Sequence, residues 1–340
     1  MAEVNKELPF ISIVVLSYNQ AAYIRDCIES VLSLQYEGRL EYIFCDDCST
    51  DDTFDIICQA TAHYKGPHRI ICHKCPRNGR VAVNMNTAVS LSSGDWIMRV
   101  DGDDIVHPER LKLTAHAIRK FPQAVAISGQ LHLFEGQTKP IANPQIGELE
   151  YLVANRQENN AANAPMRAMS WWGGAMTMAR RVFTAFPPIP SDCGIMDDTF
   201  FGARSLLLGD FVIIRNACFL YYRRHENNIS SIAISNTSLR GYMRADAESR
   251  NYYKRCMPCH SSILAEIEQY TATHPDCEPV LEFFRTHLAE RERQALFWEK
   301  SWKERIADAH IKGAWWRKIP WALRTLCPFT WALARKLGKR

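Results

Sequence analysis

The sequence predicts a doubly wound α/β sheet, and three observations carry that prediction. Short β-branched runs alternate with amphipathic helical stretches from residue 10 to residue 120. The runs are continuously apolar, as strands buried on both faces of a parallel sheet must be. Their carboxyl ends carry the polar clusters, where such sheets bind ligands.

The elements follow in order. Residues 10–16 form the first run, which stops at Ser17-Tyr18-Asn19-Gln20, with Asn19 read as a helix N-cap. Ile24, Cys27, Ile28, Val31 and Leu32 then recur at helical spacing and make one apolar face. A second strand over 41–45 ends in Asp46-Asp47-Cys48-Ser49-Thr50-Asp51-Asp52, and 54–60 opens the next helix. A strand over 69–73, a helix over 83–91 and a strand over 96–100 lead to Asp101-Gly102-Asp103-Asp104. A helix over 108–120 and strands over 124–134 and 211–222 continue the domain. Helical patterns over 243–253, 261–270, 280–289 and 292–309 predict a helical appendage. The expected boundaries are 8–235 for the α/β domain, 236–311 for the appendage and 312–340 for a basic tail.

Composition narrows the function. With 47% apolar residues the chain can build a core, and no apolar stretch reaches the ~20 residues of a spanning helix. The first ten residues lack the layout of a signal peptide, so a cytoplasmic location is expected. The net charge of +4 is uneven, because eight basic residues and no acidic ones follow Asp308, which leaves residues 1–311 at −4. A mildly acidic body argues against a nucleic-acid partner. Twelve cysteines include three C-x-x-C pairs, Cys45/Cys48, Cys72/Cys75 and Cys256/Cys259. The first two lie too far apart for a typical zinc module, and buried reduced thiols are the expected reading.

The turn after the first strand has no glycine, which excludes a dinucleotide fingerprint. Asp101, Asp103 and Asp104 crowd one strand end, where like charges need a cation or donors. For Asp104 the reading is a helix N-cap in a solvated acidic turn. Asp101 and Asp103 have the spacing to hold Mg²⁺ or Mn²⁺ while leaving positions for diphosphate oxygens.

Taken together, Ser17-Tyr18-Asn19, Asp46-Asp47-Cys48-Ser49-Thr50-Asp51, Asn78, Asn86, Gly94-Asp95-Trp96 and Asp101-Gly102-Asp103-Asp104 resemble the ordered motifs of family-two inverting glycosyltransferases. The resemblance covers residues 9–232 and implies the GT-A form of the fold, a Rossmann-like doubly wound mixed sheet with a C-terminal helical appendage. It implies a nucleoside-diphosphate sugar as donor, with Ser17, Tyr18, Asn19, Asn86 and Gly102 on the donor side. Asp47 takes the place of the pyrimidine contact, Asp101 of the ribose or metal contact, and Asp103 of the metal-bound carboxylate. Arg80 departs from the pattern, standing where a glycine is usual, and has the reach to meet a diphosphate. Met85 stands where a basic residue often precedes Asn86.

In the second half, Trp171-Trp172-Gly173-Gly174 is either a buried aromatic turn or the family's loop beneath the donor sugar, with a tryptophan to stack on a sugar face. Asp197-Asp198 reads as helix capping, or, by resemblance, as a motif with Asp198 the catalytic base and Asp197 orienting the acceptor or the base. Gly209 is the expected C-cap of that helix. His225, in Tyr222-Arg223-Arg224-His225, resembles a residue that closes over the diphosphate and ligates the metal.

The implied reaction is metal-dependent inverting transfer of a UDP- or dTDP-linked sugar to a hydroxyl of a glycan or lipid-linked glycan. A single in-line displacement needs one base. An inactive sugar-nucleotide or glycan-binding module and a nucleotidyltransferase remain the alternatives. The tail interleaves Lys and Arg with Trp315, Trp316, Trp321 and Trp331. That composition fits an in-plane anchor on an anionic membrane, or a terminal helix packed on the protein itself.

Overall fold

The computed structural model describes residues 8–136, 147–156, 172–193, 197–225, 228, 239–296 and 299. Trp171 and the segment 301–340, with the basic tail, lie outside the described residues.

Four parallel strands open the sheet: β1 (Ile11–Ser17), β2 (Leu40–Asp46), β3 (Arg69–Lys74) and β4 (Trp96–Asp101), in spatial order β3-β2-β1-β4. They are joined by α1 (Ile24–Leu32), α2 (Thr53–Thr61) and α3 (Arg80–Leu91). Every residue of β1 and β2 is buried. Ile24, Cys27, Ile28 and Val31 of α1 pack with Ile11, Ile13 and Val15 of β1 in one core. Each such aliphatic side chain stabilises the fold by about 1.5–3 kcal/mol when fully buried.

Past β4 the sheet turns mixed, through β5 (Ile105–Val106), β6 (Ala124–Glu135), β7 (Tyr151–Ala154), β8 (Thr177–Ala179) and β9 (Asp210–Arg224). β8 runs antiparallel between β4 and β6, and β6 and β9 are parallel. β5 and β7 pair antiparallel with different stretches of β9. The intervening helices are α4 (Arg110–Lys120), α5 (Arg181–Thr184) and α6 (Asp197–Leu208). β5, β7 and β8 are two to four residues long, too short to show a period, and the sequence did not disclose them.

Three local readings are corrected. Asn19 caps no helix, since α1 starts at Ile24; it adopts a left-handed φ of 50° and its Oδ1 accepts the N–H of Thr50 at 2.8 Å. Asp104 lies in no solvated turn and caps no helix; it is 1% exposed, and α4 begins at Arg110. Gly209 does follow α6, but not in the left-handed conformation of a glycine cap. A Cβ there would sit 2.5 Å from the Gln123 carbonyl oxygen, so close approach to a neighbouring chain segment requires the glycine.

The chain divides into two compact units, Met1–His225 with Ser262–Phe283, and Glu226–Ser261 with Phe284–Arg340. α7 (Leu239–Thr273) runs through Pro258, where the sequence pattern had suggested two helices, and α8 (Glu278–Leu296) follows. An interior proline removes one helical hydrogen bond, and the buried Cys256, Cys259 and Ile263 on either side of it offset that loss. In the first unit, Glu266 accepts hydrogen bonds from Nε and Nη2 of the buried Arg204 on α6, at 2.7 and 2.6 Å. In the second, His260 Nδ1 and Glu292 Oε1 are 2.9 Å apart. No helix among the described residues is long and apolar enough to cross a membrane.

Candidate active site

Strand register assembles the site. Ser17 lies opposite Asp46, and Leu16 opposite Asp101, so the carboxyl ends of β2, β1 and β4 stand side by side. β1 lies between the strand that follows it and β4, which makes its carboxyl end a topological switch point, the usual crevice for a ligand in an open α/β sheet.

On the β2 side Asp46 is an organiser. It is fully buried, accepting the Ser17 hydroxyl at 3.1 Å and the Ser49 N–H at 2.8 Å. The Asn19 N–H donates to Ser49 Oγ at 2.9 Å, which closes the first loop onto the second. Asp47 therefore projects from a fixed loop. Its Oδ1 accepts the Gly79 N–H at 2.8 Å. Burial raises its pKa above the usual carboxylate value, and the N–H groups of Gly79 and Arg80 oppose that rise. Tyr18 stays 45% exposed at the rim. Arg80 is exposed beside this loop with φ +63°, a backbone conformation where glycine is the ordinary occupant. A non-glycine residue in such a region carries a strain of about 1 kcal/mol or more, of the kind stored at functional sites. Asn86 is spent elsewhere: its Nδ2 donates to the Ile189 carbonyl at 3.1 Å.

At the end of β4, Asp101 is gripped by Arg99, whose Nε and Nη2 both donate to Oδ1, at 3.1 and 3.0 Å. Oδ2 packs against Gly174, where an added Cβ would lie 2.9 Å away. The Gly102 N–H donates to the Leu16 carbonyl at 2.8 Å and turns the chain so that Asp103 returns over the site. Asp103 Oδ2 lies 2.9 Å from His225 Nε2. The His225 ring stacks on Tyr23 with centroids 4.5 Å apart, and the Arg223 guanidinium sits 5.1 Å from the Tyr23 ring. Arg223 is itself fully buried. It donates from Nε to the Asp103 carbonyl at 3.0 Å and from its main-chain N–H to Asp104 Oδ1 at 2.9 Å. Burial, then the charges of Asp103 and Asp101, push the Asp104 carboxyl well above its ordinary value.

Two carboxylate oxygens bear on the fit of a hard divalent cation. Asp104 Oδ2 is buried without a hydrogen-bond partner, and Asp101 Oδ2 takes none of the Arg99 bonds. Among the described residues no group of three His, Cys, Asp or Glu side chains is placed to hold a metal ion. A cation here would rest on the Asp101 and Asp103 carboxylates, with its other positions taken by diphosphate and water, an arrangement usual for Mg²⁺ and Mn²⁺.

Opposite stands the first turn of α6. Asp197 is 5% exposed, and its Oδ2 accepts a hydrogen bond from Arg99 Nη1 while its Oδ1 accepts the Asp198 N–H at 2.9 Å. Burial raises the Asp197 pKa, against the pull of Arg99. Asp198 is half-buried. Gly173 and Gly174 lie between the two carboxylate groups, and a Cβ on Gly173 would fall 2.3 Å from Arg99 Nη1. Trp172 tilts against Tyr222 with ring centroids 5.9 Å apart. Arg110 fastens this turn from below, donating to the carbonyls of Gly174, Arg99 and Met176 at 2.7, 2.9 and 3.0 Å. Burial lowers its pKa to about 9.

The structure thus brings Ser17, Asn19, Asp47, Asp101, Gly102, Asp103, His225, Gly173, Gly174, Asp197 and Asp198 to one end of the sheet. Sequence reasoning missed Asp46, Arg99, Arg110 and Arg223 as its organisers. One signal existed: Arg99 and Asp101 are two apart on a strand and share a face, and a charge inside an apolar run needs a partner.

The model of the Glycosyl transferase family 2 matches residues 12–183. EpsE of Bacillus subtilis (strain 168), named as a glycosyltransferase, is 40% identical over 104 residues, which are 31% of this chain and 36% of EpsE. The chain thus spans little more than a third of that relative. TuaG of the same organism, named for a glycosyltransferase role in teichuronic acid biosynthesis, is 36% identical over 193 residues, 52% of this chain and 75% of TuaG. Among solved structures, S. aureus TarS 1–349 in complex with UDP-GlcNAc aligns with 95% of this chain and 81% of its own length, at TM-score 0.56 and 17% identity, a likeness of fold.

Proposed function

Because the chain belongs to glycosyl transferase family 2 and has the GT-A type of fold, we propose that it transfers a sugar from a uridine or thymidine diphosphate donor to a glycan hydroxyl, with inversion and with Mg²⁺ or Mn²⁺ bound. The carrying observation is the convergence of Asp47 and the Asp101/Asp103 pair, at adjacent strand ends, with the Asp197/Asp198 pair on the first turn of α6, which Arg99 ties to Asp101 beside a two-glycine turn. Asp47 accepts from the imide N–H of a pyrimidine, which a guanine base presents differently. Asp103, with Asp101 Oδ2 and His225, would hold the cation, which when bound would supply charge compensation for the departing diphosphate. Gly173 and Gly174 let Arg99 and Asp101 approach the turn closely, and Trp172 and Tyr222 stand beside it for the sugar. Asp198 takes the proton of the acceptor hydroxyl on the face opposite the leaving group. Asp197, paired with Arg99, holds the turn that carries it.

Calorimetry tests the donor half. UDP in the presence of Mn²⁺ is expected to bind at least tenfold more tightly than with EDTA, and GDP more weakly than UDP. Equal affinity with and without metal, or a preference for GDP, overturns the assignment. A donor screen that follows nucleoside diphosphate release then identifies the sugar.

TuaG's role in teichuronic acid biosynthesis supports a cell-surface polysaccharide as the product class, built on a glycan or lipid-linked glycan. A lipid-linked acceptor calls for a protein peripheral to the inner face of the cytoplasmic membrane. The segment 312–340 has the basic and tryptophan content for that docking. Each basic residue close to an anionic surface contributes about 1 kcal/mol. Deleting 312–340 is expected to abolish sedimentation with phosphatidylglycerol vesicles and leave UDP binding within twofold; a truncated protein that still sediments removes the membrane role.

A further inference from the structure

Arg99 lies one step behind the groups assigned to chemistry. Its side chain is 7% exposed, so it meets substrate little. One guanidinium spans the two halves of the site: Nε and Nη2 take Asp101 Oδ1, and Nη1 takes Asp197 Oδ2. The surroundings are shaped for it. A side chain at position 173 would strike Nη1, and Arg110 clamps the Arg99 carbonyl together with the glycine turn.

We infer that Arg99 is a positioning residue that makes donor binding and acceptor deprotonation one geometric unit, an inference that rests on the proposed transferase reaction. By occupying Asp101 Oδ1 twice, it turns Oδ2 toward Gly174, beside the turn that the proposed reaction gives to the donor sugar. By holding Asp197 Oδ2 it leaves Oδ1 to the Asp198 N–H, which sets the turn from which Asp198 reaches the acceptor. The span between carboxylates is fixed by a planar fork, which a lysine ammonium, a single point charge, does not reproduce. A misplacement of about 1 Å at such a distance from the chemistry is worth up to 10²-fold in rate.

The test compares the full-length protein with Arg99→Ala and Arg99→Lys, using UDP–Mn²⁺ calorimetry, nucleoside diphosphate release at saturating donor, and thermal denaturation. Arg99→Ala is expected to lose about 30- to 100-fold in kcat while its UDP–Mn²⁺ affinity stays within about fivefold, because Asp47, Asp103 and Asp101 Oδ2 remain. Guanidinium at about 50 mM is expected to restore kcat at least fivefold, since it fills the vacated fork, whereas sodium chloride at equal ionic strength does not. Arg99→Lys, which retains the charge and is the variant of choice if Arg99→Ala does not fold, is expected to lose at least tenfold in kcat with the same retained affinity. Overturning results are a kcat within threefold of the unmodified protein in Arg99→Lys, a loss confined to donor affinity, or a folded Arg99→Ala that guanidinium does not rescue. An unmodified protein that neither binds UDP–Mn²⁺ nor releases nucleoside diphosphate fails differently: the transferase reading falls, and this inference with it.

Discussion

Asp198→Asn is expected to lose 10²- to 10⁴-fold in kcat while UDP–Mn²⁺ binds within about threefold of the unmodified protein. The asparagine keeps the volume and the first turn of α6, because the turn is set by the Asp197 carboxylate accepting the N–H of residue 198. What disappears is the acceptor for a proton. The loss corresponds to roughly 3–5 kcal/mol of transition-state stabilisation, the scale of a positioned general base. Turnover within fivefold of the unmodified protein would transfer the role to another group. Asp197 is poorly suited to it, since both of its oxygens are engaged, by Arg99 and by the Asp198 N–H. Total retention of donor binding with total loss of turnover also separates an enzyme from a sugar-nucleotide binding module, for which the substitution would have no turnover to remove.

Asp103→Asn is expected to abolish the metal dependence of nucleotide binding, leaving UDP with equal affinity in Mn²⁺ and in EDTA, at least tenfold weaker than in the unmodified protein with Mn²⁺. A carboxylate that ligates a hard cation is not replaced by an amide of the same shape, which carries no charge. Folding should tolerate the change, since Arg223 holds this loop through the Asp103 carbonyl and the Asp104 carboxylate. Metal-dependent binding that survives in Asp103→Asn would place the cation on other ligands. Asp104→Asn serves as contrast. It removes a buried hydrogen-bonded group of the fold, so its effect is expected in thermal stability first.

Much of the fold was legible because parallel strands advertise themselves. A strand buried on both faces, such as β1, is a continuous apolar run, and the residue where polarity returns marks its carboxyl end. Ser17, Asp46 and Asp101 are such residues, and the register places all three on one edge of the crevice. The half of the sheet built from β5 to β9 was less legible. Its short strands have no period, and β9, 15 residues long, pairs with β6, β5 and β7 through partners distant in sequence. The same holds for α7, where Pro258 reads as a boundary and tertiary burial carries the helix through it.

By itself the sequence determined the element order of the N-terminal half, the set of carboxylates at its strand ends, and the family to which they belong, because these depend on local period and on motif order along the chain. Tertiary structure alone decided how those carboxylates are used. Asp46 became a buried organiser beside Asp47, and Asp104 a core acceptor for the Arg223 N–H instead of a solvated cap. The two halves of the site were joined through Arg99, between residues 98 positions apart. A buried charge must find its partner in space, and the free energy of that pairing depends on distance and desolvation, neither of which has a signature in sequence spacing.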